Sequence, residues 1–135
     1  MTTWLFTINP HAPQAYEYGW NVDEPETLLA ATDKTWDTHN FFRAMKAGDE
    51  LAVFMKNTRA ATGDGVYILG LVTHVDEAKR EFTWRPDRAR TRKLVDAPIP
   101  YEVVLHFFGR GWGGSLRRLK PGLEREWARL AGKPR

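Results

Sequence analysis

Three kinds of side chain in this chain are suited to holding a flat, negatively charged ligand: loop tryptophans, amides at strand ends, and clustered arginines. Trp20, Trp36 and Trp112 fall in loop-like segments, where an indole can offer a face to an aromatic ligand. A base stacked on such a face gains roughly 1–3 kcal/mol. Asn9 and Asn57 follow β-prone runs, and an amide carries both a donor and acceptors for reading a base edge. Arg85, Arg88, Arg90, Arg92 and Lys93 crowd one segment, opposed within it only by Asp87, and Arg110, Arg117, Arg118 and Lys120 form a second cluster. Such cations hold phosphates independently of sequence. Each feature also has an ordinary explanation. Trp20 could pack its own loop, the asparagines could cap strands, and a cationic run is often a solvated loop. Trp36 is open between core and contact, because the helix read after it already has Phe41, Phe42 and Met45.

The residues for catalysis are not assembled in the same way. His11, His39, His74 and His106 are scattered without i, i+4 metal spacing, and there is no cysteine, which removes thiol nucleophiles, disulfides and Cys-based zinc sites. No nucleophile elbow, P-loop or dinucleotide fingerprint occurs. His74 and His106 lie in strand-like runs, and Asp49 with Glu50 reads as a solvent-facing turn. No enzymatic activity, cofactor or metal is expected.

The 135 residues are 42% hydrophobic and 13% aromatic, with six tryptophans. That is enough for one folded domain spanning 1–135. The formal charge is +3 and the pI about 9.3, a mild bias toward polyanions. "MTTWLFTINP" lacks a basic n-region and a long apolar h-region, so no signal peptide is expected, and no apolar run reaches membrane-spanning length. A cytoplasmic location and no membrane partner are the corresponding expectations.

The elements that must position these groups are readable in outline. "TWLFTIN" is a strand ended by Pro10, followed by a Pro-rich aromatic loop and a short helix in "DEPETLLAATD". A helix starting at Asp37 or Thr38 runs to Gly48, and "ELAVFMK", "GVYILGLVTHV" and "REFTWRP" are strands. A basic loop follows, "IPYEVVLHFFG" reads as a further strand, and "GRGWGG" as a turn. "KPGLEREWARLAG" closes as a helix with Leu123, Trp127 and Leu130 on one face. Trp4, Trp84 and Trp127 are assigned to the core. The expected fold class is α+β: a curved, mostly antiparallel sheet or barrel of five to six strands with flanking helices.

The order of "WLFTINP", "TWDTHNFFRAMKAGDELAVFMKN", "GVYILGLVTHV" and "YEVVLHFFG" before a terminal helix resembles the EVE domain family. That family belongs to the PUA-like superfamily, which also contains the YTH readers and ASCH domains. The resemblance spans nearly the whole chain, including the turn Lys46-Ala47-Gly48-Asp49. Asp37-Thr38 stands where the family often has Gly-Val, and the aromatic near Met55 is Phe54. The resemblance implies a PUA-like barrel whose aromatic pocket takes a flipped or single-stranded modified base, with DNA or RNA as partner and a restriction or nuclease partner in bacteria. It places Trp36 at the pocket tryptophan, and Asn9 and Asn57 at its polar positions. Phe54 and Met55 lie beside Asn57, and strand alternation lets only one of them face the pocket. Trp20 and Trp112 join by loop position.

The function expected is a non-catalytic reader of a modified nucleobase, cytosine or adenine in DNA. The cluster from Arg85 to Lys93, with Arg117 and Arg118, would hold the backbone. The alternative is a general RNA-binding module acting on tRNA or rRNA, and a third, from another class, is a small-molecule binder or hydrolase using the same cleft.

Overall fold

A computed structural model describes residues 1–8, 44–56, 63–110 and 116–132, together with the backbone of 34–37. Side-chain alternation in strand β1 (Thr3–Ile8) sets the architecture. Trp4, Phe6 and Ile8 enter one core and Leu5 enters another on the opposite face. A strand buried on both faces reads as a nearly continuous apolar run. The same holds for β3 (Glu50–Met55), every residue of which is buried.

The remaining strands are β2 (Lys34–Asp37), β4 (Gly65–Asp76), β5 (Glu81–Pro86), β6 (Ile99–Pro100) and β7 (Arg117–Arg118). They form one sheet in the order β2-β5-β4-β3-β1-β7, with β6 paired to β4. Among the described residues only β1 and β3 run parallel; the other pairings are antiparallel. Among the described residues the sheet does not close on itself. It is nevertheless strongly curved, because β4 carries irregularities against both neighbours, opposite Val53/Phe54 and between Val72 and His74. An extra residue in one strand bends it and increases the local twist.

Gly70 lies where this curvature brings backbones together. A Cβ there would lie 2.6 Å from the Arg85 carbonyl oxygen and 2.8 Å from Cε3 of the Trp84 ring. Gly70→Ala is therefore expected to cost about 1–3 kcal/mol by overpacking, measured as a lower urea midpoint. An unchanged midpoint would show that β4 and β5 can spread apart.

Three helices among the described residues cover one face: α1 (Arg88–Asp96), α2 (Tyr101–Phe108) and α3 (Glu124–Ala131). They contribute Leu94, Val104, Phe107, Phe108, Trp127 and Ala131 to the core built on Leu5, Ala52, Phe54, Val66 and Leu69. No described helix is long and apolar enough to cross a membrane.

Two sequence expectations are corrected here. The segment read as a basic loop contains α1, capped by the Asp87 side chain, which accepts from the Arg90 amide at 3.2 Å. Its buried face is Arg90, Thr91 and Leu94; with one apolar member, it left little hydrophobic period to detect. Its signal was the Pro86-Asp87 start followed by helix-forming residues. The run "YEVVLHFF", read as a strand from its β-branched and aromatic content, is α2. Val104, Phe107 and Phe108 are buried at helical spacing, and the sheet needs only Ile99 and Pro100 as a short pair on β4.

In α3 the buried face passes through Trp127 and Ala131, while Leu130 is 48% exposed. The face therefore runs i, i+4 rather than through Leu130. Asp49 and Glu50, read as solvent-facing, are 6% and 1% exposed. Asp49 accepts from the Trp4 indole at 2.9 Å, the Lys46 amide at 2.9 Å and the Thr2 amide at 3.1 Å. Those bonds tie the turn to β1. The short helix read in "DEPETLLAATD" and most of the helix read from Asp37 or Thr38 lie outside the described residues; Ala44 to Gly48 form turn and coil.

Candidate nucleic-acid interface

Trp36 occupies a strand rather than a loop. It lies in edge strand β2, where its register partner is Phe82; Lys34 is opposite Trp84 and Asp37 opposite Glu81. Among the described residues β2 has β5 as its one sheet neighbour, and a polar tetrapeptide, Lys-Thr-Trp-Asp, suits such an edge.

Curvature brings the strand beside β2 against β1. β5 and β1 are separated by β4 and β3 in the sheet, yet the rings of Phe6 and Phe82 meet edge to face at 5.5 Å. The sheet has curled until the strand beside β2 touches β1 across the inner core. The ends of β1 and β3 also come together. Ile8 is the register partner of Met55, and the Lys56 amide donates to the Ile8 carbonyl at 2.8 Å. These are the strand ends that lead into Asn9 and Asn57. Asn9, Trp20, Asn57 and Trp112 themselves lie outside the described residues.

Strand alternation sends Phe54 and Met55 into opposite cores. Met55 belongs to the inner core with Phe82 and Trp84. Phe54 is 1% exposed in the helix-side core, with its ring 6.1 Å from that of Tyr101. Phe54 is thus a packing residue of the helix layer. The core assignment of Trp4, Trp84 and Trp127 holds, at 0%, 0% and 3% exposure.

The cations divide between two elements. Arg88, Arg92 and Lys93 are exposed on α1, and Arg85 is exposed on β5. Arg90, grouped with them in the sequence, turns inward instead. Its Nη2 lies 2.8 Å from Glu50 Oε2 and donates to the Gly132 carbonyl at 2.8 Å, while Nε donates to the Ala131 carbonyl at 3.0 Å. Glu50 Oε1 accepts from the Trp127 indole at 2.6 Å. A guanidinium fork suits this duty, because it satisfies the carboxylate and the last carbonyls of α3 together. Arg90 is consequently removed from the surface that could meet phosphate. The second set lies at the other end of the sheet, where Arg117 is half-buried and Arg118 exposed on β7, with Arg110 and Lys120 exposed nearby.

Among the described residues no group of three or more His, Asp or Glu side chains is placed to hold a metal ion. His74 is exposed on β4, and His106 is on α2 rather than in a strand. There its Nε2 lies 3.2 Å from Glu126 Oε1 beside an open groove of about 610 Å³ between α2 and α3.

No family profile and no curated protein matches the sequence. Solved structures do match the fold. The chain superposes on human THYN1 protein in complex with 5-methylcytosine-containing DNA with a TM-score of 0.54 at 15% identity, covering 100% of both chains. The DUF55 domain of human thymocyte nuclear protein 1 gives 0.53 at 13% identity, over 98% of this chain and 99% of that one. A protein from Pseudomonas putida gives 0.51 at 16% identity, over 95% and 96%.

Proposed function

We propose that this chain, which has the EVE-domain fold, is a nucleic-acid-binding module that reads a modified base, with 5-methylcytosine in DNA as the first candidate. The observation that carries the proposal is the full-length structural likeness to THYN1 protein bound to 5-methylcytosine-containing DNA. Beside it, the curl of the sheet sets Phe82, the register partner of Trp36, against Phe6 of β1, and β1 and β3 end as partners at Ile8 and Met55, just before Asn9 and Asn57 in the sequence. In this reading Trp36 stacks on the base, and Asn9 and Asn57 hydrogen-bond its edge. Arg85, Arg88, Arg92 and Lys93 contact phosphates. The reaction-free role fits a site that needs only stacking, edge recognition and charge.

Removing a base from its stack costs a few kcal/mol, and each base–aromatic stack returns roughly 1–3 kcal/mol. Stacking alone therefore roughly balances extrusion, and selectivity must come from the edge contacts and the modification. The test is direct competition between otherwise identical oligonucleotides carrying cytosine or 5-methylcytosine, as DNA and as RNA. Tighter binding of the methylated DNA by about tenfold or more is expected. Equal binding of modified and plain strands would replace this reading with a general RNA- or DNA-binding module.

A further inference from the structure

The helix layer leaves a leucine outside the core. Leu130 is 48% exposed, although Trp127 and Ala131 beside it on α3 are buried. It lines the groove of about 610 Å³ between α2 and α3, together with Val103 and the buried Phe107. The two walls are fixed to each other, because Phe107 and Phe108 of α2 each meet the Trp127 ring of α3 edge to face at 5.2 Å.

The charges around this groove divide into a paired set and an unpaired one. Glu126 Oε1 on α3 lies 3.2 Å from His106 Nε2 on α2. Glu102 on α2 and Arg129 on α3 are exposed and line the same groove. Among the described residues neither of these two makes an ion pair or a side-chain hydrogen bond.

A single exposed leucine is common and by itself needs no explanation. The charges beside it are what select an occupant. One patch carries an exposed apolar side chain with a groove to take it, and an acid and a base without partners. An isologous contact needs that combination, because a two-fold axis makes residue i meet j and j meet i. A foreign partner would require no such match within one surface.

We propose that the α2/α3 groove is a docking surface for a second copy of this chain, paired about a two-fold axis. Leu130 of each copy enters the groove of the other beside Val103 and Phe107. Arg129 precedes Leu130 and Glu102 precedes Val103, so this seating brings Arg129 of each copy within reach of Glu102 of the other. The groove lining shares no residue with β2, α1 or β7, and the pairing is independent of the nucleic-acid reading. A contact made by two short helices per copy falls at the small end of specific interfaces, below about 1,200 Å² in total. A Kd on the order of 100 μM is expected.

The test is sedimentation of the full chain from about 10 μM to about 1 mM, where a reversible monomer–dimer equilibrium is expected. Leu130→Glu changes an exposed side chain and should raise the Kd by about tenfold or more, since two leucines lose their cover, with no change in the unfolding midpoint. Arg129→Glu and Glu102→Arg should each abolish self-association, because each sets two like-charged pairs at the contact. An equimolar mixture of these two variants should dimerise again. In the mixed pair the two introduced side chains face each other, and the two native ones do the same. Mixing does not cure a folding defect, so recovery reads the contact itself.

A wild type that stays monomeric over this range would overturn the proposal and leave the groove to a foreign partner. A dimer that survives Leu130→Glu and both charge variants would also overturn it, by placing the contact on another face. A mixture that remains monomeric, or assemblies larger than two copies, would overturn the two-fold pairing.

Discussion

Replacing Arg90 with methionine is expected to lower the folding free energy by about 3–5 kcal/mol, the usual cost of leaving a buried charge without its partner. Glu50 is 1% exposed, and its carboxylate would lose the guanidinium while keeping the Trp127 indole. The Ala131 and Gly132 carbonyls at the end of α3 would lose their donors in the same step. A domain of this size has roughly 5–15 kcal/mol in total, so denaturant unfolding should show a large fall in midpoint. Adding Glu50→Gln should recover part of the loss. The neutral amide removes the stranded charge and retains an oxygen for the Trp127 indole. A double variant no better than Arg90→Met alone would mean that the lost carbonyl contacts, not the carboxylate, dominate. An Arg90→Met variant of unchanged stability would contradict the inward placement of the Arg90 guanidinium.

Trp36→Ala is expected to abolish preference for a modified base while leaving binding to plain strands largely intact. A stack of roughly 1–3 kcal/mol corresponds to about 5- to 150-fold in affinity. The cations proposed to hold phosphate lie on other elements, so the salt slope should not move. Competition between methylated and plain oligonucleotides reads the first quantity, and a salt titration reads the second. Trp36 lies on an edge strand opposite Phe82, so circular dichroism and an unfolding curve on the variant will separate a lost contact from a disturbed edge. An intact variant that still discriminates would remove Trp36 from the reading site.

How far these residues could be placed without coordinates differs from group to group. The core strands were legible, because β1, β3, β4 and β5 are β-prone, largely apolar runs punctuated by Pro, Gly and charged turns. The core tryptophans Trp4, Trp84 and Trp127 followed from the same pattern. α1 was not legible as a helix, because part of its buried face is an arginine whose partner, Glu50, lies 40 residues earlier in the chain. α2 was misassigned because "YEVVLHFF" has strand composition. Its helical period of Val104, Phe107 and Phe108 becomes decisive only once the helix layer over Leu5, Ala52 and Phe54 is in place.

The candidate site shows the same division. That Trp36 precedes the "FFRAMKAGDE" segment, and that amides follow two strands, is read from the order of residues. That Met55 rather than Phe54 faces the inner core depends on which side of β3 the helices cover, and side-chain alternation leaves that choice open.

By itself, then, the sequence determined the local content of this protein: which runs are strand-forming, where turns and caps fall, how many cations and loop aromatics there are, and the order of segments that resembles the EVE family. These are short-range properties, set by side-chain periodicity, backbone preference and capping within a few residues. Only the tertiary structure decided how long-range packing uses them. It curled the sheet so that Phe82 meets Phe6, and it paired the ends of β1 and β3 in parallel. It also sorted one contiguous basic stretch into an exposed face and a buried Arg90. Identical charges in one segment therefore take opposite roles, because burial and partners 40 residues away, not residue type, set the free energy of each.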